Sequence, residues 1–84
     1  MKDKLTVELF GILKEICKTD NIIIEVELPI NSKELIEFFI KQYLIKKDNI
    51  SQIRVAVNNR FLSYNDEIKT TNEIIMLIPP VGGG

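Results

Sequence analysis

Two consecutive prolines, Pro79 and Pro80, follow the last apolar segment of the chain and fix where its final strand must end. Proline lacks a backbone N–H and holds φ near one value, so neither residue can extend a strand ladder. The residues behind them, 81–84, end in three glycines and reach roughly 13–14 Å when extended. This composition predicts a narrow peptide that threads a channel and presents a terminal carboxylate as the reacting group. The alternative is an inert chain end.

The size and charge of the chain limit what else it can do. With 84 residues and 45% hydrophobic side chains, it is expected to form one small domain around a single core. The apolar stretches are too short for a membrane span and the first residues enter a strand pattern, so we expect a cytoplasmic protein without membrane contacts. Eleven basic residues balance twelve acidic ones without a basic stripe, which gives nucleic-acid binding no support.

The sequence is poor in catalytic side chains. Histidine is absent and cysteine occurs once, at Cys17. The chain therefore lacks the commonest general base, and it cannot form an internal disulfide or a cysteine cluster around a metal. We interpret Cys17 as a partly buried, unreactive side chain. The composition predicts no bound cofactor, no metal site and no catalysis by this chain alone.

Alternation of apolar and polar residues predicts the strands. They cover 5–10, 22–28, 53–57, a short segment 60–64, and 74–78. We expect the first two strands to pair as a hairpin and Asn58-Asn59 to form a tight turn. In the last strand, either Ile75 and Leu77 or Ile74 and Met76 point into the core; counting back from the tail favours Ile75 and Leu77.

One main helix is predicted between the second and third strands. Asn31, with Glu34 three positions later, matches a capping box, and the helix is expected to continue to about Leu44. An apolar stripe at helical spacing should lie on the sheet; it comprises Leu35, Ile36, Phe39, Ile40 and Tyr43. A further short helical turn is expected at 12–17. Two hairpins that flank one helix on a mixed sheet make an α+β roll.

These features resemble the ubiquitin-like (β-grasp) fold, and most closely the sulfur-carrier family formed by the small subunits of molybdopterin synthase. Residues 10–15 (Phe-Gly-Ile-Leu-Lys-Glu), 56–58 (Ala-Val-Asn) and above all 79–84 (Pro-Pro-Val-Gly-Gly-Gly) carry the resemblance. It implies a β-grasp domain at 1–80 and a flexible tail at 81–84. Where the family has Gly-Asp-Glu before the last strand, this chain has Thr71-Asn72-Glu73, and we expect asparagine to supply a positive φ there.

The resemblance implies that Gly84 is the reacting residue. An ATP-dependent adenylyltransferase of the ubiquitin-activating type would convert its carboxylate to an acyl-adenylate, and a sulfur donor would displace AMP to leave a thiocarboxylate. The large subunit of a heterotetrameric molybdopterin synthase would then use that sulfur on the pyranopterin precursor. Gly83 is assigned to the same reacting tail, because a side chain there would clash in a channel shaped for bare backbone.

A partner-binding surface follows from strand parity. If Leu5, Val7 and Leu9 face the helix, Phe10 faces outward and meets other apolar residues on the open sheet face, although isolated exposed apolar residues are also normal. Lys14 matches a basic position of the family and could meet an acidic partner group; Arg60 is a weaker candidate. The predicted partner-binding residues are Phe10, Lys14, Phe61, Ile78, Pro79, Pro80, Val81 and Gly82.

Three other functions stay open at this point. The first is sulfur carriage for thiamine or another pathway, although the similar thiamine carriers usually lack the Pro-Pro-Val before their glycines. The second is a protein modifier whose terminal glycine forms an isopeptide bond with lysines of target proteins. The third is a plain binding module with an inert tail.

Overall fold

The computed structural model describes residues 2–43 and 53–79. Nine elements follow one another within these ranges: β1 (Asp3–Leu9), α1 (Gly11–Cys17), β2 (Asn21–Val26), β3 (Ile30–Asn31), α2 (Ser32–Gln42), β4 (Arg54–Val57), β5 (Arg60–Phe61), β6 (Glu67–Ile68) and β7 (Ile75–Ile78). The predicted α+β roll is therefore confirmed.

The main sheet has five strands in the order β2-β1-β7-β4-β5. β1 pairs antiparallel with β2, as predicted, and parallel with β7. β4 pairs antiparallel with both β5 and β7. β2 ends at Val26 rather than at the predicted residue 28, because Val26 lies opposite Asp3, where β1 begins. The first and last strands of the chain thus lie side by side in the interior of the sheet.

A second, two-stranded ladder was not predicted. Ile30 pairs with Ile68 and Asn31 with Glu67 in antiparallel β3 and β6, and both isoleucines are buried. Each strand contributes two residues, which is too short for a period-two pattern to stand out in the sequence. The predicted short strand 60–64 is likewise reduced to Arg60–Phe61.

Helix α2 begins with the predicted capping box. The Asn31 side chain accepts a hydrogen bond from the Glu34 N–H at 2.8 Å, and the Glu34 carboxylate accepts one from the Asn31 N–H at 3.2 Å. Among the stripe residues, Leu35, Ile36 and Phe39 are buried, whereas Ile40 and Tyr43 are half-buried against the same core. The helix ends at Gln42, and the predicted end near Leu44 lies outside the described residues.

The last strand has the predicted parity. Ile75 and Leu77 are fully buried, while Ile74 is 54% exposed. The buried side chains of β7 lie beside those of β1, since the register pairs Val7 with Ile75 and Leu9 with Leu77. This alternation divides the main sheet into a core face and an open face.

The turns use asparagine in two different ways. Asn58 and Asn59 adopt φ of 51° and 68° in the turn from β4 to β5, as predicted, and the Asn58 side chain accepts a hydrogen bond from the Ile74 N–H at 3.1 Å. The expectation of a positive φ at Asn72 is wrong, since neither it nor Thr71 has one. The Asn72 N–H instead donates to the Thr70 hydroxyl at 2.8 Å, which shapes that turn locally.

Truncation of the neighbouring Ile74 and Ile75 tests which side chains at the start of the last strand face the core. We expect Ile75→Ala to lower the free energy of unfolding by about 2–5 kcal/mol, because it leaves a cavity in the core. Ile74→Ala, the matched control on an exposed side chain, should change it by no more than about 0.5 kcal/mol. Urea unfolding of both variants measures the difference. Equal losses of stability would contradict the assignment of Ile75 to the core and Ile74 to the surface.

Candidate partner-binding site at the end of the central strands

The two central strands end at the same edge of the sheet. β1 and β7 run parallel with Leu9 opposite Leu77, so their carboxyl ends lie together. The chain leaves β7 at Pro79 and leaves β1 at Phe10 and Gly11. We call Phe10, Gly11, Ile78 and Pro79 the tail edge, because everything after Pro79 departs from there.

Contact between Gly11 and Pro79 fixes the start of the tail. Gly11 has a φ of +54°, and a Cβ added to it would lie only 3.0 Å from Cγ of Pro79. A residue with a side chain would therefore be strained by its backbone and crowd the proline ring. The predicted tail residues Pro80, Val81, Gly82, Gly83 and Gly84 lie outside the described residues.

An apolar surface lies next to the tail edge on the open face. Directly opposed residues of neighbouring strands point to the same face, so the pairs of Ala56 with Met76 and with Phe61 form one row across the sheet. Ile78 continues the same parity along β7. Phe10 keeps an extended backbone, and the β1–β7 register continued by one residue brings it beside Ile78. We call Phe10, Phe61, Met76 and Ile78 the open-face patch.

The exposure of the open-face patch fits a surface that a partner covers. Phe10 is 40% and Phe61 55% exposed, and Met76 and Ile78 are half-buried. Ala56, although it lies on the same face, is only 3% exposed between Met76 and Phe61. The structure thus places Phe10, Phe61 and Ile78 on the same face of the sheet, as the sequence predicted. Their binding role stays a prediction.

Lys14 lies on helix α1, which directly follows Phe10 in the chain. Its ammonium group is 3.3 Å from the Asp20 carboxylate, and both side chains are more than half exposed. Such a pair contributes little to stability, so Lys14 can exchange Asp20 for an acidic partner group at small cost. The two residues line an open depression of about 430 Å³ that extends to Phe10 and Gly11.

Arg60, the weaker candidate for partner binding, and Cys17, the single cysteine, lie away from the tail edge. Arg60 pairs with buried Val57, so it points away from the open face, towards a polar depression that Glu67 and Glu73 also line. Cys17 is half-buried against the core, and burial raises the pKa of its thiol. A higher pKa leaves less thiolate at neutral pH, which agrees with an unreactive cysteine.

Two residues of the open face were missed in the sequence. Only the parity of the last strand could have identified Met76, and the sequence alone allowed either Met76 or its neighbours Ile75 and Leu77 to face the core. Arg54 lies opposite Ile78, and its guanidinium carbon is 4.9 Å from the centre of the Phe61 ring. Its position in β4 follows from the alternation of Ile53, Val55 and Val57, but the contact with Phe61 depends on how the hairpin folds.

The described residues form a small ubiquitin-like β-grasp domain whose last strand, β7, lies in the interior of the sheet and ends beside an apolar face. The chain belongs to the ThiS family, whose model matches residues 7–84. No curated protein sequence shows significant similarity to the chain. Among the described residues, no helix has the length and apolar character needed to cross a bilayer.

Solved structures of similar fold support this class. Molybdopterin-converting factor from Helicobacter pylori 26695, a complex of subunits 1 and 2, matches with 25% identity and a TM-score of 0.60, covering 98% of this chain and 100% of that one. A candidate molybdopterin converting factor subunit 1 from Pyrococcus furiosus matches with 24% identity and a TM-score of 0.75, covering 93% and 98%. Small archaeal modifier protein 1 from Methanosarcina acetivorans matches with 18% identity and a TM-score of 0.71, covering 100% and 99%.

Substitution of Gly11 tests the origin of the tail edge. We expect Gly11→Ala to lower the free energy of unfolding by about 1–2 kcal/mol, because the positive φ penalises a side chain, and to push Pro79 out of its place. Thermal or urea unfolding measures the first effect, and NMR shifts of the tail-edge residues measure the second. An alanine variant with wild-type stability and unchanged shifts would show that the contact does not constrain the chain there.

Proposed function

We propose that this chain is the small, sulfur-carrying subunit of a molybdopterin synthase, with the Gly84 carboxylate as its reacting group. The observation that carries the proposal is the tail edge: the chain leaves the central strand β7 at Pro79, next to the open-face patch. The Pro-Pro-Val-Gly-Gly-Gly sequence and membership of the ThiS family support it. So does the H. pylori protein, which is a complex of subunits 1 and 2.

The proposed chemistry begins at a poor electrophile. A free carboxylate resists nucleophilic attack, so an ATP-dependent adenylyltransferase joins the Gly84 carboxylate to AMP and releases pyrophosphate. The terminal sulfur of a donor persulfide attacks the acyl carbon and displaces AMP, which gives an acyl disulfide. A thiol then reduces that disulfide and leaves the thiocarboxylate on Gly84. The chain holds no cofactor in this scheme; it carries the acyl-adenylate and the thiocarboxylate as covalent intermediates.

The tail residues have a mechanical role in this proposal. Gly83 and Gly84 carry no side chain, so both faces of the terminal acyl group stay open to the nucleophile. The five residues beyond Pro79 reach at most roughly 16–18 Å. The reacting carbon therefore enters a partner only when the tail edge is close to that partner's surface. Pro79, Pro80, Val81 and Gly82 span this distance.

Docking of a partner on the open-face patch would bring the tail edge close to that partner's surface. Phe10, Phe61 and Ile78 form an apolar surface beside the exit of the tail, and Lys14 flanks it with a cation that Asp20 holds only weakly. A large synthase subunit that covers this surface receives the tail at its own active site. Histidine is absent from the sequence, so the partner is expected to supply the general acid and base.

A second candidate function is protein modification. The fold also matches small archaeal modifier protein 1 at a TM-score of 0.71, and the same adenylated glycine would react with a lysine amine in place of a sulfur nucleophile. The two functions differ in the fate of Gly84. The carrier ends as a thiocarboxylate and returns to a carboxylate, whereas the modifier ends as an isopeptide on another protein.

Intact-mass measurement of tail variants tests the carrier. After incubation with ATP, a sulfur donor and the matching adenylyltransferase, the wild-type chain should gain the mass difference between sulfur and oxygen. Gly83→Val and deletion of Gly84 should abolish that gain and leave the unfolding midpoint unchanged, because the core of the described residues is built from side chains up to Leu77. Cys17→Ala is the control and should load as wild type. Normal loading of Gly83→Val, or loss of loading in Cys17→Ala, would contradict the proposed site.

The docking surface is tested by exchanging exposed aromatic residues. Phe61→Ser should weaken binding of the large subunit at least about tenfold, because it removes an apolar anchor beside the tail. Tyr64→Ser is the matched control, since Tyr64 is 48% exposed but lies beyond the patch in the chain that follows β5. Isothermal titration calorimetry measures both affinities. Equal effects of the two changes would place the docking surface elsewhere.

A further inference from the structure

Arg54 is held in a fixed position on the open face. Its guanidinium carbon lies 4.9 Å from the centre of the Phe61 ring, within the range of a cation–π contact. Its Nη2 atom also donates a hydrogen bond to the Leu62 carbonyl oxygen at 3.3 Å. Stacking and hydrogen bonding together orient the planar group, so its remaining N–H donors have defined directions before any partner arrives.

The position of Arg54 places this cation inside the open-face patch. Arg54 is paired with Ile78 in the register of β4 and β7, and Phe61 lies under its guanidinium. Two of the apolar residues proposed to contact a partner are therefore its direct neighbours. A partner that covers Phe61 and Ile78 must also cover Arg54.

We propose that the partner which docks on the open-face patch presents a carboxylate group to Arg54. The inference rests on the proposed function, which makes this patch the docking surface. Covering the patch removes water from the guanidinium, and a buried cation is costly unless it is paired and hydrogen-bonded. A carboxylate matches the two-pronged donor geometry of arginine better than any other protein side chain. The apolar patch thus provides contact area, and Arg54 selects which partner fits.

The chain itself does not provide that carboxylate within the described ranges. Across residues 2–43 and 53–79, one ion pair lies within 4.0 Å, between Lys14 and Asp20, and it does not include Arg54. Glu8 is also on the open face, but it lies opposite Met76, which in turn lies opposite Ala56. Arg54 lies opposite Ile78 instead, so Glu8 is not in the same row across the sheet. Arg54 and Lys14 thus differ, since Lys14 already has an acidic neighbour to exchange.

Substitutions at Arg54 and Arg60 test the inference with matched changes of charge. Arg60 is the control because it lies in the same hairpin but points away from the open face. We measure by calorimetry the affinity of each variant for the large synthase subunit of the same organism. Arg54→Met keeps an apolar cover on Phe61 but leaves the partner carboxylate unpaired, so binding should weaken by about 30-fold or more. Arg54→Glu should weaken it further, and Arg54→Lys should fall between Arg54→Met and wild type.

The control variants and a double-mutant cycle complete the test. Arg60→Met and Arg60→Glu should stay within about threefold of wild type, and all variants should keep the wild-type unfolding midpoint to within a few degrees. Removing the matching carboxylate from the partner should weaken its binding to the wild-type chain but should have little further effect on its binding to Arg54→Met. Arg54→Met that binds as tightly as wild type, or losses equal to those at Arg60, would overturn the inference. If the wild-type chain does not bind the large subunit at all, the proposed function fails, and the inference fails with it.

Discussion

Parallel pairing between β1 and β7, the first and last described strands, determines both the path of the chain and the place where it leaves the sheet. β1 and β7 lie side by side in the interior of the sheet, and a parallel pair requires a long crossover, which here carries α2 over the core face. The same pairing brings both carboxyl ends to one edge. Because Gly11 leaves room for Pro79 there, the chain exits beside the open face. The fold, the tail edge and the position of the open-face patch beside it thus follow from one non-local contact.

The open face combines apolar side chains with one oriented cation, Arg54. Its apolar residues offer contact area without directional preference, so by themselves they would accept many partners. A stacked arginine within this area adds a requirement for a negative partner group. Under the proposed function the chain docks in turn on an activating enzyme and on an accepting enzyme. The shared apolar area would then contact both partners, and the charged group would exclude unrelated apolar surfaces.

The sequence predicted those features whose physical cause is local or periodic. Alternation predicted the buried side of β1, and counting back from the tail favoured the correct side of β7. The Asn31–Glu34 pattern predicted the start of α2, and Asn58-Asn59 predicted the turn from β4 to β5. The ladder of β3 with β6 was missed because each strand is only two residues long. The contact of Arg54 with Phe61 was also missed, since it forms only after the hairpin has folded. The glycine run itself predicted a narrow tail with a reacting carboxylate, whereas the adenylation and sulfur loading of Gly84 were implied only by the resemblance.

A single-turnover experiment on the loaded tail shows whether Gly84 delivers sulfur to the pterin. Thiocarboxylated protein is mixed with the large subunit and the pyranopterin precursor, and the mass of the chain and the sulfur content of the pterin are followed in a single turnover. We expect sulfur to leave Gly84 as it appears in the pterin, and the chain to return to its unmodified mass. A thiocarboxylate that persists, or a Gly84 found in an isopeptide bond with a lysine, would contradict it.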